Sequence, residues 1–159
     1  MGESVQKWIE AGYELFASEG PESLHVERLA KKLGLNKSGY YHYFGDREVF
    51  ISKVLDYHCL VAENFRKEIT TLTKFDPDYY DLLLKYRATL FVQMQLRRHP
   101  DEKYFEEIFW KIARANDKAL VSLLSAHLGI PGEHDLALEF WGLIRDSFYM
   151  QLTYTNLET

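Results

Sequence analysis

The chain has 159 residues, of which 47% are hydrophobic and 27% charged, and its net charge at pH 7 is −5. This is the composition of a soluble globular protein, and no run of about 18 uncharged apolar residues is present that would indicate a membrane span. The N-terminal segment has no apolar signal core, and the single cysteine, Cys59, cannot form an internal disulfide. We therefore expect a cytoplasmic protein with no membrane partner.

Apolar residues recur at helical spacing along most of the chain, and glycines and prolines fall at the breaks. This pattern predicts an all-α protein. We expect a three-helix helix-turn-helix domain at residues 1–50 and a helical bundle for ligand binding and dimerisation at 51–159, joined by a long helix. The predicted helices cover residues 5–19, 26–33, 37–43, 46–70, 79–98, 101–128 and 134–156.

Residues 25–44 fit the helix-turn-helix motif. Ala30 is small where two short helices would cross, and Gly34 supplies the positive φ of a tight turn between them. Asn36 is a suitable N-cap for the second helix. Tyr40 and Phe44 would face the interior of the domain.

The second helix of this motif would present a polar and aromatic face. Residues 26–47 hold five basic and two acidic side chains, a local charge of +3 that attracts phosphate. Pairs spaced four residues apart form one compact face, which can enter a major groove about 12 Å wide. Arg47 would reach the phosphate backbone from the next helix. The predicted DNA-binding residues are Arg28, Asn36, Lys37, Ser38, Gly39, Tyr41, His42 and Arg47.

Three segments, AGYELFASEG, VERLAKKLGLNKSGYYHYF and DREVFISKVL, resemble the N-terminal domain of the TetR family of transcriptional regulators. The resemblance covers about a third of the chain. It implies a DNA-binding domain, a helical ligand-binding and dimerisation domain, and repression relieved by a small molecule. The sequence departs from the family pattern at His25, Gly39 and His42, so the resemblance does not define the operator sequence.

The segment from residue 79 onward is rich in aromatic residues at helical spacing, a pattern that more often marks a core than a ligand site. It also fits an apolar cavity between helices that binds an apolar or aromatic effector. The candidate ligand-binding residues are Tyr86, Phe91, Met94, Phe109, Trp110, Phe140 and Trp141. Arg87, Gln93, Gln95 and Arg145 could meet a polar group of the effector, but each is predicted to lie at the surface.

The last predicted helix is apolar on more than one face, so other protein surfaces must pack against both of its sides. We expect a homodimer, with residues 101–128 contributing to its interface. The candidate interface residues are Phe140, Trp141, Ile144, Phe148 and Leu152. The family usually has a second dimer helix, so the chain represents either a short member or one that lacks its C-terminus.

His127, His134 and Asp135 flank a turn without further ligand-spaced residues, and we predict no metal and no cofactor. We also predict no enzymatic activity, because no catalytic triad, phosphate-binding loop or close carboxylate pair is present. The sequence predicts a DNA-binding transcriptional regulator, a repressor released from a palindromic operator by a small hydrophobic or aromatic effector. The alternatives are an activator on the same scaffold, and an enzyme or a lipid or small-molecule carrier built on the aromatic bundle.

Overall fold

The computed structural model describes residues 3–152, the side chain of Glu3 excepted. Within this range the chain forms eight α-helices and no β-strand, which confirms the predicted all-α architecture. The end of the last predicted helix, residues 153–156, lies outside the described residues. The helices are α1 (Glu3–Glu19), α2 (Val26–Leu33), α3 (Lys37–Phe44), α4 (Arg47–Ile69), α5 (Tyr80–Lys85), α6 (Arg87–Arg98), α7 (Lys103–His127) and α8 (His134–Gln151).

Local capping groups set the helix boundaries of the N-terminal domain. Gly34 ends α2 in the left-handed conformation, with φ +65°. Asn36 Oδ1 accepts a hydrogen bond from the Ser38 backbone N–H at 3.0 Å, and Asp46 Oδ1 accepts one from Val49 at 2.8 Å. These bonds satisfy N–H groups that have no partner within the first turn of a helix. The starts of α3 and α4 are therefore encoded locally.

The predicted helix over 79–98 is wrong, because the chain breaks at Tyr86 into α5 and α6. The Tyr86 hydroxyl donates to Glu68 Oε1 at 2.6 Å, and its ring packs against Phe65 with the centroids 5.4 Å apart. These contacts to α4 hold Tyr86 out of helical geometry. Neither glycine nor proline marks the break, so tertiary contacts have overridden local propensity.

Two apolar clusters form the core. The first joins α1–α4 to α6 and α7 around Trp8, Phe16, Phe50 and Phe91. The second lies at the other end of the bundle, where α4, α7 and α8 meet. Gly12 permits the close crossing of α1 and α4, because a Cβ at this position would lie 2.5 Å from Phe50 Cζ. The first cluster contains residues from both predicted domains, so the two are packed together.

The helix α4 buries Phe50, Val54, His58 and Phe65 along one face. Val49 is exposed, because it lies at least about 100° around the helix from each of these residues. Among the described residues, no helix is long and apolar enough to cross a membrane.

Candidate nucleic-acid interface and effector cavity

The helix α3 is anchored by aromatic residues on its inner side. Tyr40 is only 2% exposed, and its ring centroid lies 5.5 Å from that of Trp8 and 5.0 Å from that of Phe50. Phe44, one turn later, packs 4.8 Å from Phe50. These edge-to-face and tilted ring contacts fix the orientation of α3 on α1 and α4.

The opposite side of α3 carries four of the predicted DNA-binding residues, namely Lys37, Ser38, Tyr41 and His42, all of which are exposed. Tyr41 is 53% exposed, although it follows the buried Tyr40. Gly39 differs from the prediction of an outward-facing position. It is half-buried, and a Cβ added there would lie 3.9 Å from Trp8 Nε1.

Most cations of this region already have carboxylate partners. The ion pairs join Arg28 to Glu19, Lys32 to Glu14 and Lys37 to Glu27. The predicted local charge of +3 omitted the two carboxylates that α1 contributes, so the patch is less positive than its sequence segment indicates. Because exposed pairs of this kind stabilise a fold little, a phosphate group can replace the carboxylate at low cost.

Arg47 and Asn36 have structural roles at this site. The Arg47 Nε donates to the Leu24 carbonyl oxygen at 3.3 Å, and its Nη2 donates to that of Pro21. The guanidinium thereby fixes the turn between α1 and α2, whereas the sequence predicted that Arg47 contacts the phosphate backbone of DNA. The Asn36 side-chain oxygen caps α3.

A cavity of about 40 Å³ lies between α4, α5, α6, α7 and α8. Its apolar wall includes Phe65, Tyr79, Tyr86, Trp141 and Tyr149. Its polar wall comprises Thr89, Gln93, Asn116, Asp117 and Arg145. Aromatic walls with a few convergent polar groups are typical of small-molecule sites.

Only two of the seven predicted ligand-binding residues, Tyr86 and Trp141, line this cavity. Phe91, Met94 and Phe109 are buried in the first core cluster, because they lie on faces of α6 and α7 turned away from the cavity. The structure also contradicts the prediction that Trp110 and Phe140 line the cavity. Trp110 packs against the guanidinium groups of neighbouring arginines, and Phe140 is exposed on the outer side of α8.

Gln93 and Gln95 are buried and Arg145 is partly buried, contrary to the prediction that each lies at the surface. The Arg145 side chain is 11% exposed and donates to Asp117 Oδ2 and, at 3.3 Å, to Asp146 Oδ1. Trp141 Nε1 donates to the other Asp117 oxygen at 2.9 Å. The pairing explains how these charges are tolerated inside the bundle.

One polar atom at the cavity has no hydrogen-bond partner among the described residues. Asn116 Oδ1 is buried and accepts no hydrogen bond from any of the described residues. Such an orphan acceptor is uncommon, because burial removes it from water without compensation. No sequence signal marks a site at this position, because Asn116 lies in an ordinary helical pattern.

A buried hydrogen-bond network, missed by the sequence analysis, connects the cavity to the N-terminal domain. The Tyr13 hydroxyl of α1 lies 2.9 Å from Thr89 Oγ1 and 3.2 Å from His58 Nδ1. His58 Nε2 lies 3.2 Å from Gln93 Oε1. Burial lowers the pKa of His58 to about 4, so this ring is neutral at pH 7. The available signal was the pair of polar residues Thr89 and Gln93, one turn apart in the mainly apolar middle of α6.

The helix α8 has a second apolar face, on the outside of the bundle. Phe140, Ile144 and Phe148 are exposed there, as the dimer prediction requires. Trp141 and Leu152 are corrections to that prediction, because Trp141 lines the cavity and Leu152 is buried in the first core cluster. Both lie on the inner side, where the chain itself covers them.

Comparison with known proteins agrees with this architecture. Residues 9–54 match the family of bacterial regulatory proteins described as the tetR family. The chain is 25% identical over 143 residues to the uncharacterized HTH-type transcriptional regulator YuxN of Bacillus subtilis (strain 168). That alignment covers 84% of this chain and 47% of YuxN, so the chain spans about half the length of this curated relative.

The fold is similar to the crystal structure of a transcriptional regulator (TerR/AcrR family) from Aquifex aeolicus VF5, with a TM-score of 0.65 and 15% identity. This similarity covers 94% of the present chain and 86% of the other. In the present chain, α2 and α3 are joined by a left-handed Gly34 turn and lie within the matched segment. Residues 9–54 are therefore similar to the N-terminal domain of the tetR family of bacterial regulatory proteins, and they contain a helix-turn-helix formed by α2 and α3.

Proposed function

We propose that the protein is a homodimeric repressor that binds a palindromic operator through α3 and is released by a small molecule bound in the helical bundle. The observation that carries this proposal is the exposed face of α3, where Lys37, Ser38, Tyr41 and His42 stand on a helix anchored by buried aromatic rings. A rigid support of this kind is what base-edge recognition requires.

Each side chain on this face has a chemical role toward DNA. Lys37 contacts a phosphate after leaving Glu27, and Ser38, next to it in the first turn, donates or accepts at a base edge. The Tyr41 ring packs on sugar or on a thymine methyl group while its hydroxyl donates to a phosphate. His42 supplies a further donor one turn after Ser38.

The outer face of α8 supports assembly into a dimer. A single recognition helix reads only a few base pairs, whereas two copies related by a two-fold axis read half-sites spaced about 34–36 Å or a multiple apart. Ile144 is 43% exposed, with Phe140 and Phe148 beside it one turn away on each side. A partner subunit covers this apolar face in the proposed dimer.

The helix α6 is the proposed connection between effector and DNA. Its Thr89 and Gln93 line the cavity, and both belong to the network that reaches Tyr13 of α1. Near its other end, His99 Nε2 lies 2.8 Å from Glu22 Oε1. A ligand that shifts α6 therefore displaces α1, on which α3 is packed. We expect such coupling to change the DNA affinity by about 1–3 kcal/mol, reciprocally.

The test is a mobility-shift selection from genomic fragments of the source organism, followed by titration of a selected fragment. Lys37→Ala should weaken binding by about 1–3 kcal/mol. Lys118→Ala is the matched control, since Lys118 is exposed on α7, outside the N-terminal domain. Selection of no fragment, or equal losses for both variants, would contradict the proposed interface. Repression itself is tested with a reporter gene placed behind the selected fragment.

A further inference from the structure

We infer that the bundle cavity selects a small, neutral aromatic molecule that carries a hydrogen-bond donor. This inference rests on the proposed function, in which the cavity is the effector site, and it adds the chemical class of the effector.

The cavity wall favours a flat ring. Phe65 and Tyr86 meet edge to face at 5.4 Å, and Tyr79 and Trp141 do so at 5.9 Å. Phe65 and Tyr79 join the two pairs, with their ring centroids 6.2 Å apart, so the four rings form one aromatic wall on which an aromatic ligand can continue the same edge-to-face packing. A flexible aliphatic chain would make fewer such contacts.

The polar wall favours a donor on that ring. Thr89 is bonded to Tyr13, Gln93 to His58, and both oxygens of Asp117 are engaged. In the described part of the chain, Asn116 Oδ1 is the cavity-lining acceptor that is buried without a partner. A ligand N–H or O–H that reaches Asn116 satisfies this atom without breaking an existing bond.

The charges at the cavity favour a neutral ligand. Arg145 already contacts two carboxylates, those of Asp117 and Asp146, so an anionic ligand would compete with both. A cationic ligand would have to displace Arg145 from Asp117. Because the charges of this partly buried pair are no longer balanced in either case, an ionised ligand is disfavoured.

The available space favours one or two rings. The 40 Å³ cavity adjoins a second space of about 110 Å³, which shares Trp141, Arg145 and Tyr149 and extends to Ile144 and Phe148. An apolar cavity of about 150 Å³ accommodates benzene. A single ring therefore fits once the side chains between the two spaces move, and a second, fused ring requires further movement along Ile144 and Phe148.

The test compares four compounds built on one type of fused bicyclic ring, by isothermal titration calorimetry on the full chain. Indole is neutral and has an N–H donor, 1-benzothiophene has no donor, indole-3-carboxylate is an anion and tryptamine is a cation. Indole should bind at least about tenfold more tightly than each of the others, a difference equal to about 1.4 kcal/mol. Equal binding of 1-benzothiophene, tighter binding of a charged compound, or no binding of indole at millimolar concentration would overturn the inference.

A variant of Asn116 tests whether the preference for a ligand with a hydrogen-bond donor comes from the Asn116 side-chain oxygen. Asn116→Leu should remove the advantage of indole over 1-benzothiophene, because the acceptor is lost while the side-chain size is kept. Asn64→Leu is the matched control, since Asn64 is exposed on α4, and it should keep the preference. If Asn116→Leu does not fold, the compound series on the unmodified protein still decides the question.

Operator titration on the same samples separates this inference from the proposed function. If the protein binds an operator but indole and 1-benzothiophene bind equally, the ligand class is wrong and the regulator proposal stands. If indole is preferred through Asn116 but no operator is bound, the proposed function fails while the ligand class holds.

Discussion

Tyr40 and Tyr41 are adjacent in sequence but have opposite environments, and truncating each to alanine should produce opposite defects. Tyr40 is 2% exposed and contacts the rings of Trp8, Phe44 and Phe50 at 5.0–5.5 Å. Truncating a buried aromatic side chain lowers the free energy of unfolding by roughly 3–5 kcal/mol. Because Tyr40 makes three aromatic contacts, we expect Tyr40→Ala to lie at the upper end of this range. Since domain stabilities are about 5–15 kcal/mol, much of the fold would be lost.

Tyr41→Ala should leave the fold nearly intact, because the Tyr41 side chain is 53% exposed. We expect a loss of less than about 1 kcal/mol in the free energy of unfolding. The same change should weaken operator binding by about 1–3 kcal/mol, a factor of about 5 to 150 in Kd.

Urea denaturation followed by circular dichroism measures the stabilities, and mobility shift at fixed salt measures the affinities. The reasoning is refuted if Tyr41→Ala unfolds the domain, or if it is stable and binds the operator normally. Tyr40→Ala must in turn lower the urea midpoint far more than Tyr41→Ala does.

Three further predictions concern packing, pH and assembly. Gly12→Ala should lower the free energy of unfolding by about 1–3 kcal/mol, measured in urea, because its Cβ meets the Phe50 ring. His58 has a pKa of about 4 when folded and 6.5 when unfolded, so the unfolded state binds more protons between these values. The neutral His58 therefore contributes roughly 3 kcal/mol to the free energy of unfolding above pH 6.5, and this contribution is lost as the pH falls toward 4. His58→Gln should show a flatter pH dependence of the urea midpoint. Ile144→Glu should dissociate the dimer in light scattering, whereas the control Leu60→Glu, at an exposed apolar residue of α4, should not.

The N-terminal domain was predictable because its signals are local. Asn36 and Asp46 accept capping bonds within their own first turns, and Gly34 adopts the positive φ that the motif requires. The inward position of Tyr40 and the outward position of Tyr41 follow from helical periodicity. Such features need only a few neighbouring residues, so sequence alone defines them.

The cavity was not predictable, because its lining depends on which faces of distant helices meet. The helix α8 is apolar on both sides, and its pattern does not distinguish the inner Trp141 from the outer Phe140. The break at Tyr86 depends on Glu68, which lies 18 residues earlier in the chain. Arg145 looked like a surface residue because its partner Asp117 lies on a different helix. Long-range pairing of this kind has no local signature.

The most direct test of the proposed regulator is a hydroxyl-radical footprint on a fragment selected from genomic DNA. Two recognition helices related by a two-fold axis should protect two symmetric stretches whose centres lie about 10–10.5 base pairs or a multiple apart. Tyr41→Ala should lose both protected stretches at the same protein concentration. A single asymmetric footprint, or a footprint that Tyr41→Ala leaves unchanged, would contradict operator binding by a dimer through α3.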